Sequence, residues 1–395
     1  MNAPLKNSIA AMIPELTEWR RDFHRHPELA YDLPRTSRTV AERLRRLGFD
    51  EVVEGVGRTG VLGVLHGAKG AARHADKRVL LRADMDALPI VEASGAEYAS
   101  ASPGRMHACG HDGHTTMLLG AARWLAETRQ FDGTLVFCFQ PAEEGGAGAK
   151  AMIDDGMLER FPVKGAYAVH NWPGMPVGQF GVVRGAAMAA TEAFVIAVEG
   201  VGGHAAFPHK TRDPIVAASH IVMGVQTIVS RAIDPLDSAV VSITSIHGGE
   251  AFNVIPERIE MKCNIRSFSE SVAKTVETEL RRICATTAEA LGVKARVERP
   301  DKVPYPPTVN HPAETDLALE AMRAVAGSEG VRDDLRPVMG AEDFAFVLRQ
   351  VPGAYGFVGN GDTAGLHNPK YDFNDAALAH GVAYWIELAT RALAA

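Results

Sequence analysis

The 395-residue sequence contains only four cysteines, Cys109, Cys138, Cys263 and Cys284, and they lie far apart. Their spacing matches neither a zinc-finger pair nor a disulfide framework, so it indicates a reduced, cytoplasmic protein. An excess of basic residues is also missing, because 41 lysines and arginines face 48 aspartates and glutamates. The resulting net charge of -7 argues against a nucleic-acid or membrane-surface partner.

Long apolar runs are a further absence. Residues 1–6 show neither the charged region nor the apolar core of a signal peptide. No run of about 18 apolar residues, the length that crosses a bilayer, stands out. With 46% hydrophobic and 23% charged residues, the composition is that of a globular protein. The chain is too long for one small core, which predicts two domains or one domain with a large insertion.

The densest group of chemically reactive side chains lies between His107 and His114. These eight residues, His-Ala-Cys-Gly-His-Asp-Gly-His, hold three imidazoles, a thiol and a carboxylate, and a helical pattern follows them. Imidazole and thiolate are good ligands for borderline transition metals. Cys109 and His111, at the entry to the predicted helix, therefore indicate part of a metal site. A nucleophilic Cys109 is the alternative, and we favour it less because a metal explains its neighbours better.

Acidic and imidazole side chains also follow three predicted apolar strands. Asp84 and Asp86 come after one strand, Glu143 and Glu144 after a second, and His170 after a third. Open α/β sheets place their active sites at the carboxyl ends of strands. Taken alone, the aspartates favour a capped turn and His170 a structural role, whereas a solvated loop is the less favoured alternative for the glutamates. Three such strand ends in one chain favour a shared site.

The character of the sequence changes near residue 185. The elements predicted from 191 to 297 follow the order β-α-β-β-α-β, which is typical of a ferredoxin-like unit. We therefore predict an α/β protein with a mixed-sheet catalytic domain, residues 1–184 and 300–395, and an inserted ferredoxin-like α+β lid, residues 185–299. The proline-rich segment that begins at Pro300 suits a linker back to the first domain.

The candidate ligands form one set with the chemistry of a two-metal hydrolase. Two divalent ions with a water between them lower the pKa of that water and stabilise the oxyanion formed by its attack. Glu143 is the candidate general base, and Asp86 would orient a ligand imidazole. Adjacent residues of an extended chain point to opposite sides, so Glu143 and Glu144 can do different work. The candidate metal ligands are Cys109, His111, Glu144, His170 and His367.

Seven segments carry a resemblance to a known family, and they occur in family order along the chain. They resemble the M20 metallopeptidases, and among these the aminoacylase-type amidohydrolases that include hippurate hydrolase and the plant indole-acetyl-amino-acid hydrolases. The segments are residues 82–89, 107–114, 139–145, 202–204, 252–256, 340–344 and 366–368.

The resemblance implies a catalytic domain of the phosphorylase/hydrolase-like, zinc-exopeptidase type and a smaller lid used for dimerisation. It implies the five ligands named above and Glu143 as the base. The lid residue His204 would polarise the scissile carbonyl or bind the oxyanion, and in dimeric members it reaches the partner subunit's site. Asn253 and Arg266 are candidates for holding the substrate carboxylate, which suits a bidentate arginine. A surface charge at a strand end is the alternative for Arg266.

One position departs from the wider superfamily. Many members have His-x-Asp where this chain has Asp84-Met85-Asp86, so Cys109 with His111 replaces the missing histidine. A thiolate favours zinc over manganese, whereas relatives accept several divalent ions. We expect two divalent ions per subunit, zinc or manganese, with cobalt or nickel as further options.

The predicted reaction is hydrolysis of an N-acyl amino acid, hippurate-like or N-acetylated, to a carboxylic acid and a free amino acid. The predicted enzyme is a cytoplasmic homodimer or homotetramer assembled through the lid. A dipeptidase or carboxypeptidase of the same family is the first alternative. A non-enzymatic metal-dependent binding protein is the second, and the presence of Glu143 argues against it.

Overall fold

The computed structural model describes residues 3–68 and 75–394, and within them the helices are numbered α1–α11 along the chain. Short 3₁₀ turns at Ala75–Lys77, Pro208–Lys210 and Ser328–Gly330 and a π-helical turn at Ile228–Ala232 accompany them. The helices are α1 Ala3–Arg25, α2 Pro34–Arg46, α3 His111–Thr128, α4 Glu143–Gly146, α5 Gly148–Asp154, α6 Met157–Arg160, α7 Pro214–Thr227, α8 Glu270–Ala290, α9 Pro312–Ala326, α10 Ala345–Leu348 and α11 Ala377–Ala392.

The strands of the described residues are numbered in the same way. They are β1 Glu51–Val56, β2 Gly60–His66, β3 Arg78–Asp84, β4 Thr134–Gln140, β5 Gly165–Pro173, β6 Phe180–Val182, β7 Ala186–Met188, β8 Ala190–Glu199, β9 Gly203–His204, β10 Ala239–His247, β11 Val254–Ile255, β12 Arg258–Ser267, β13 Lys294–Glu298, β14 Thr308–Val309, β15 Val331–Arg332 and β16 Gly353–Gly361.

The chain forms two compact units. The first contains residues up to Ala187, Val309–Arg336 and residues from Asp343 onwards, and the second contains Met188–Thr308 and Pro337–Glu342. The domain limits at residues 184/185 and 299/300 stay a prediction. Each differs by several residues from the corresponding boundary of these units, 187/188 and 308/309. The segment Pro337–Glu342, which we assigned to the first domain, groups with the second unit.

The first unit is built on a mixed eight-stranded sheet in the order β1-β2-β4-β3-β5-β16-β6-β15. Its centre is parallel, because β3 pairs in parallel with β4 and β5, and β16 pairs in parallel with β5. These strands are buried on both faces, as their nearly continuous apolar sequences predict. The carboxyl ends of β3, β4 and β5 therefore lie side by side, where the predicted acids and His170 occur.

Helix α3 is the central helix of this unit. It packs against β3, α1 and α11, and residues from His111 to Ala122 are all buried. Because these consecutive residues are buried, no face of this part of α3 is open to solvent, and the core extends over both neighbouring helices. Its first turn is thereby fixed at the carboxyl edge of the sheet.

The second unit is an antiparallel four-stranded sheet in the order β10-β12-β8-β13, with α7 and α8 packed against it. In chain order the elements are β8-α7-β10-β12-α8-β13, so the predicted ferredoxin-like order is confirmed. Both helices begin at side-chain caps. Asp213 accepts a hydrogen bond from the Ile215 N–H, and Ser269 accepts one from the Val272 N–H.

Several element predictions need correction. Strand β1 was not predicted, β3 extends through Asp84, and His170 lies within β5 instead of after it. The expectation that no segment is apolar enough to span a membrane is wrong by length and composition alone, because the 19 residues Pro214–Ala232 are long and apolar enough and are 28% buried. The buried face of this segment packs on the ferredoxin-like sheet. Its exposed face mixes apolar residues such as Ile215 and Met223 with polar ones such as His220 and Arg231.

Candidate metal centre

The loop before α3 is shaped by Gly110, which adopts a left-handed conformation with φ of 89°. A side chain there is excluded, because a Cβ atom would lie 2.3 Å from Oδ1 of Asn171 and 2.5 Å from the hydroxyl oxygen of Tyr371. The close approach seats the loop on these two residues. Cys109 and His111 stand on either side of the turn and are both buried.

The five predicted ligands come together in two overlapping groups. Donor atoms of Cys109, His111 and His170 all lie within 4.8 Å of one another, and so do those of Cys109, Glu144 and His367. The Cys109 Sγ is 3.4 Å from His170 Nε2, and His367 Nε2 is 3.2 Å from Glu144 Oε1. Cys109 is thus common to both groups. Their roles as ligands stay a prediction, but the predicted set is one cluster.

His170 presents a defined nitrogen to this cluster. Its Nδ1 lies 2.7 Å from the main-chain carbonyl oxygen of Asn171, which can only accept. Nδ1 therefore carries the hydrogen, and Nε2, the atom beside Cys109, carries the lone pair. A backbone carbonyl on the remote nitrogen is the usual way in which proteins orient a metal-binding imidazole.

His111 shows the clearest need for a ligand. Both of its ring nitrogens are buried, as is Glu144 Oε1, and none of these three atoms makes a hydrogen bond of good geometry within the described residues. The nearest carboxylate oxygens are 3.4 Å away on Asp86 and 3.7 Å away on Asp84. Buried polar atoms are normally satisfied. A divalent ion would satisfy them, and the thiolate, imidazole and carboxylate donors suit one.

Glu143 and Glu144 lie on a tight turn, not in the extended chain that we expected. Ala142 before the turn and Ala147 after it both have positive φ, 53° and 58°. The Asp86 carboxylate accepts the N–H groups of Glu143 at 3.0 Å and Glu144 at 3.1 Å. Asp86 therefore contacts the turn as well as His111, and it supports both halves of the cluster.

The electrostatics of the cluster favour a cation. Burial and the nearby carboxylates of Glu144 and Glu143 hold the pKa of the Cys109 thiol well above its ordinary value. Such a thiol is not an activated nucleophile, so the alternative role for Cys109 loses support. Burial also raises the pKa of Asp86, although its contact with His111 opposes this shift.

Asp84 and His114 form a buried pair that we had not assigned. His114 Nδ1 is 2.6 Å from Asp84 Oδ1, and its Nε2 lies 2.6 Å from Oδ1 of Asn171. The His114 ring packs against His170 with centroids 4.4 Å apart. Both ring nitrogens are engaged, so His114 supports the cluster from behind. The residue types alone gave no signal of this pairing, which joins β3, α3 and β5.

Asp112 lies in the first turn of α3 but does not cap the helix. Gly110 occupies the cap position and no side chain caps α3. Asp112 instead bonds to the buried His24 of α1, Oδ2 to Nδ1, at 2.8 Å. His24 also lies 3.2 Å from Glu92, and Arg20 is 3.7 Å from Asp112. This charge network fixes the first turn of α3 from the side of α1.

The remaining predicted residues lie in the second unit. His204 and Asn253 lie on neighbouring chain segments, because Val254 pairs with His204 and the Asn253 carbonyl accepts the N–H of Ala205. The exposed His204 ring accepts the Ala206 N–H at Nδ1 over 3.1 Å. The proton of its neutral ring is therefore on Nε2.

Arg266 is half-buried on β12, and burial lowers its pKa. Its Nε donates to Oδ1 of Asn264 at 3.0 Å. Among the described residues it forms no ion pair with a carboxylate. A partly desolvated guanidinium without an acidic partner is suited to bind an external carboxylate.

Comparison with known proteins agrees with these features. Residues 80–391 match the family model for peptidase family M20/M25/M40. The chain is 41% identical to the hippurate hydrolase of Campylobacter jejuni over 97% of this chain and 99% of that protein. It is 42% identical to thermostable carboxypeptidase 2 of Saccharolobus solfataricus over 90% of this chain and 88% of the other.

Among solved structures, the Bacillus subtilis YXEP protein, described as a dinuclear metal-binding peptidase of the M20 family, aligns with a TM-score of 0.82. The identity is 33%, and the alignment covers 97% of this chain and 99% of that one. Together, the mixed sheet, the ferredoxin-like unit and the cluster of thiol, imidazole and carboxylate donors define a metal-dependent hydrolase. The chain belongs to peptidase family M20, as its sequence motifs predicted.

Proposed function

We propose that the protein is a metal-dependent amidohydrolase that cleaves N-acyl amino acids to a carboxylic acid and a free amino acid. The observation that carries this proposal is the convergence of the five donor side chains beside Glu143. The similarity to a hippurate hydrolase supports the amide substrate. The similarity to a carboxypeptidase supports the second candidate, cleavage of a C-terminal residue from a peptide at the same centre.

We assign two divalent ions per subunit to the cluster, held by Cys109, His111, Glu144, His170 and His367. When bound, such ions supply Lewis acidity, which lowers the pKa of water and stabilises negative charge on the substrate carbonyl oxygen. The thiolate donor favours zinc, with manganese, cobalt or nickel as other occupants.

Glu143 has the position and chemistry of a general base. It is buried, it lies on the same turn as Glu144, and one of its oxygens is within 4.8 Å of donor atoms of His111 and Glu144. We assign to it removal of a proton from the attacking water and delivery of that proton to the leaving amide nitrogen. Asp86, His114 and Asn171 keep the surrounding side chains in place.

We assign to His204 the stabilisation of the developing oxyanion. Since its Nδ1 accepts the Ala206 N–H, its exposed Nε2–H is the group available for donation to the substrate carbonyl oxygen. Asn253 and Arg266 are assigned to the substrate carboxylate.

The geometry of the second unit supports a dimeric enzyme. Arg266 lies eight residues beyond the first residue of β12, about 26 Å along the strand, whereas His204 pairs with Val254, which precedes that strand. His204 and Arg266 are thus connected to opposite ends of this strand, which favours a site that takes each of them from a different copy of the unit. We therefore propose that each site takes Arg266 and His204 from different subunits.

An apolar surface on the second unit is suited to such an assembly. Strand β10 is an edge strand, and edge strands offer unpaired backbone groups to a partner. Large exposed apolar side chains lie on α7 and β10, which is the composition of an interface. They are Ile215, Val216, Met223, Val240 and Ile246. We also propose a cytoplasmic location, which the four free, buried cysteines support.

The reaction is tested with chelated and metal-reconstituted enzyme. Treatment with EDTA should abolish hydrolysis of N-acetyl and N-benzoyl amino acids, and zinc, manganese or cobalt should restore it. Full activity of protein shown by metal analysis to be stripped would refute the metal-dependent mechanism. Comparing kcat/KM for an N-benzoyl amino acid with that for a dipeptide of the same C-terminal residue separates the two candidate functions.

The shared site is tested by subunit exchange between two inactive variants. A His204→Ala chain supplies Glu143, and a Glu143→Ala chain supplies His204, so each mixed dimer regains one complete site. Random exchange of equal amounts should restore about one quarter of wild-type activity, because half of the dimers are mixed. If mass measurement verifies that subunits have exchanged and no activity returns, each site lies within one chain.

A further inference from the structure

Asp343 belongs to the motif Gly340–Phe344, for which the proposed mechanism has no use. Its side chain is completely buried in the first unit. Oδ1 accepts hydrogen bonds from Arg82 Nη2 at 3.1 Å and from Gln140 Nε2 at 2.7 Å. Oδ2 accepts the Ala149 N–H at 2.9 Å. The carboxylate is therefore anchored to β3, β4 and the start of α5 together.

The main chain of the same residue reaches the proposed base. The Asp343 N–H donates to Oε1 of Glu143 over 3.4 Å. The N–H and the carboxylate of Asp343 are attached to one Cα atom, so anchoring the carboxylate limits the movement of the N–H. Asp343 thus makes two contacts, one with the Glu143 carboxylate on the turn and one with the Ala149 N–H at the start of α5, six residues later.

Asp343 is a second buried carboxylate beside Arg82, where one would be enough to form a buried ion pair. Arg82 already has an acidic partner in Asp84, 2.7 Å from Nη1. A second buried carboxylate carries a large desolvation cost that stability alone does not require. Placing it beside Arg82 makes sense if the backbone attached to it must be held at a fixed position.

We propose that Asp343, anchored by Arg82 and Gln140, is a positioning residue that sets the orientation of the Glu143 carboxylate. Its main-chain N–H fixes the Oε1 atom of Glu143, and its side chain fixes the end of the turn that carries Glu143. This inference rests on the proposed role of Glu143 as the base.

The test is Asp343→Asn in the metal-loaded enzyme. The substitution keeps the size of the side chain but replaces one anchored acceptor with a donor, which faces the donors on Gln140 or Ala149. Misplacement of a reacting group by about 1 Å costs about 100-fold in rate. We expect kcat to fall about 10- to 100-fold, with KM and the bound metal per subunit within about two-fold of wild type.

A double-mutant cycle with Glu143→Ala separates positioning from general destabilisation. If Asp343 acts through Glu143, Asp343→Asn has less than about a two-fold effect on the residual kcat of Glu143→Ala. The matched control is Leu319→Ala, a buried position in α9, a helix with none of the candidate site residues. It should lower thermal stability without changing kcat at 25 °C.

Gln140→Met is measured in parallel, because it removes one anchor of Asp343 and leaves the charge of Asp343 unchanged. It keeps the proposal testable if Asp343→Asn does not fold. The inference is overturned if either variant folds and keeps the wild-type kcat. It is also overturned if Asp343→Asn lowers kcat by the same factor in the Glu143→Ala background, or if bound metal is lost in parallel with kcat. If Glu143→Ala itself retains wild-type kcat, the proposed base is wrong. If Glu143→Ala is inactive and the Asp343 and Gln140 variants are active, only the positioning role fails.

Discussion

Replacing Asp86 by asparagine should weaken both the folded protein and its metal centre. The two oxygens of Asp86 accept the N–H groups of Glu143 and Glu144 at 3.0 and 3.1 Å, and Oδ1 lies 3.4 Å from the His111 ring. Asparagine offers one acceptor oxygen in place of two. Its NH₂ group then faces a main-chain N–H, so one buried donor is left unsatisfied.

The size of the effect follows from these contacts. A hydrogen bond to a charged group contributes about 1.5–3 kcal/mol, so the free energy of unfolding of the metal-free protein should fall by about 2 kcal/mol. Loss of a group that orients a metal ligand lowers metal affinity by about 10–100-fold. We expect the upper part of that range, because Asp86 supports Glu144 and His111 together.

Two assays measure these quantities. Urea unfolding of the metal-free protein gives the change in stability, and competition with a chromophoric chelator gives the affinity for zinc. The control is Asp154→Asn, an exposed aspartate on α5 whose ion pair with Lys150 should contribute little. Wild-type stability and wild-type zinc affinity in Asp86→Asn would refute the supporting role of Asp86.

Three further predictions concern the base, the lid histidine and a remote histidine. Glu143→Ala should keep its metal and lose about 10²–10⁴-fold in kcat, as metal analysis and steady-state kinetics will show. His204→Gln should retain more kcat than His204→Asn, because the glutamine amide nitrogen occupies the place of Nε2; the reverse order would contradict the tautomer assigned here. The pKa of His24 is raised to about 9, since burial, which lowers it, is outweighed by hydrogen bonds to Asp112 and Glu92. This stabilisation, at most about 3 kcal/mol, is fully present below the unfolded pKa of about 6.5 and is lost as pH rises through about 9. His24→Gln should lack this pH-dependent difference in urea unfolding.

The fold of the second unit could be predicted from sequence because its main helices and strands are marked by local sequence patterns. Asp213-Pro214 and Ser269 mark helix starts, and the strands alternate between buried and exposed residues. In the first unit, glycines within the strands made the strands harder to predict from sequence. Gly359 lies inside β16, where a Cβ atom would come within 1.9 Å of the Pro176 carbonyl oxygen. The packing demands glycine there, although glycine weakens the strand pattern.

The donor side chains of the cluster could also be picked out from the sequence, because groups of thiol, imidazole and acid side chains at strand ends or at the entry to a helix are rare enough to stand out. Their supporting partners could not. His24 lies 88 residues from Asp112, and Asn171 lies 57 residues from His114, so only the folded chain pairs them. His114 illustrates the difficulty, since the sequence indicates a supporting role for it but not that its partners are Asp84 and Asn171.

The backbone strain at the site could not be predicted from the sequence. Three of the six non-glycine residues with positive φ in the described chain, Ala142, Ala147 and His367, belong to or flank the proposed centre. Such conformations cost about 1–3 kcal/mol each and persist only where surrounding contacts hold them. At His367 the contact is its N–H to the Ala108 carbonyl oxygen at 2.8 Å.

Glycine at positions 142 and 147 would remove this strain, but it would also allow the turn between them to take other conformations. Alanine restricts the turn, and the Asp86 carboxylate then holds its two N–H groups in one arrangement. The backbone positions from which the Glu143 and Glu144 side chains extend are consequently restricted by the turn itself. This is the property that a base and a metal ligand on adjacent residues require, because each must face a different atom within the same small cluster.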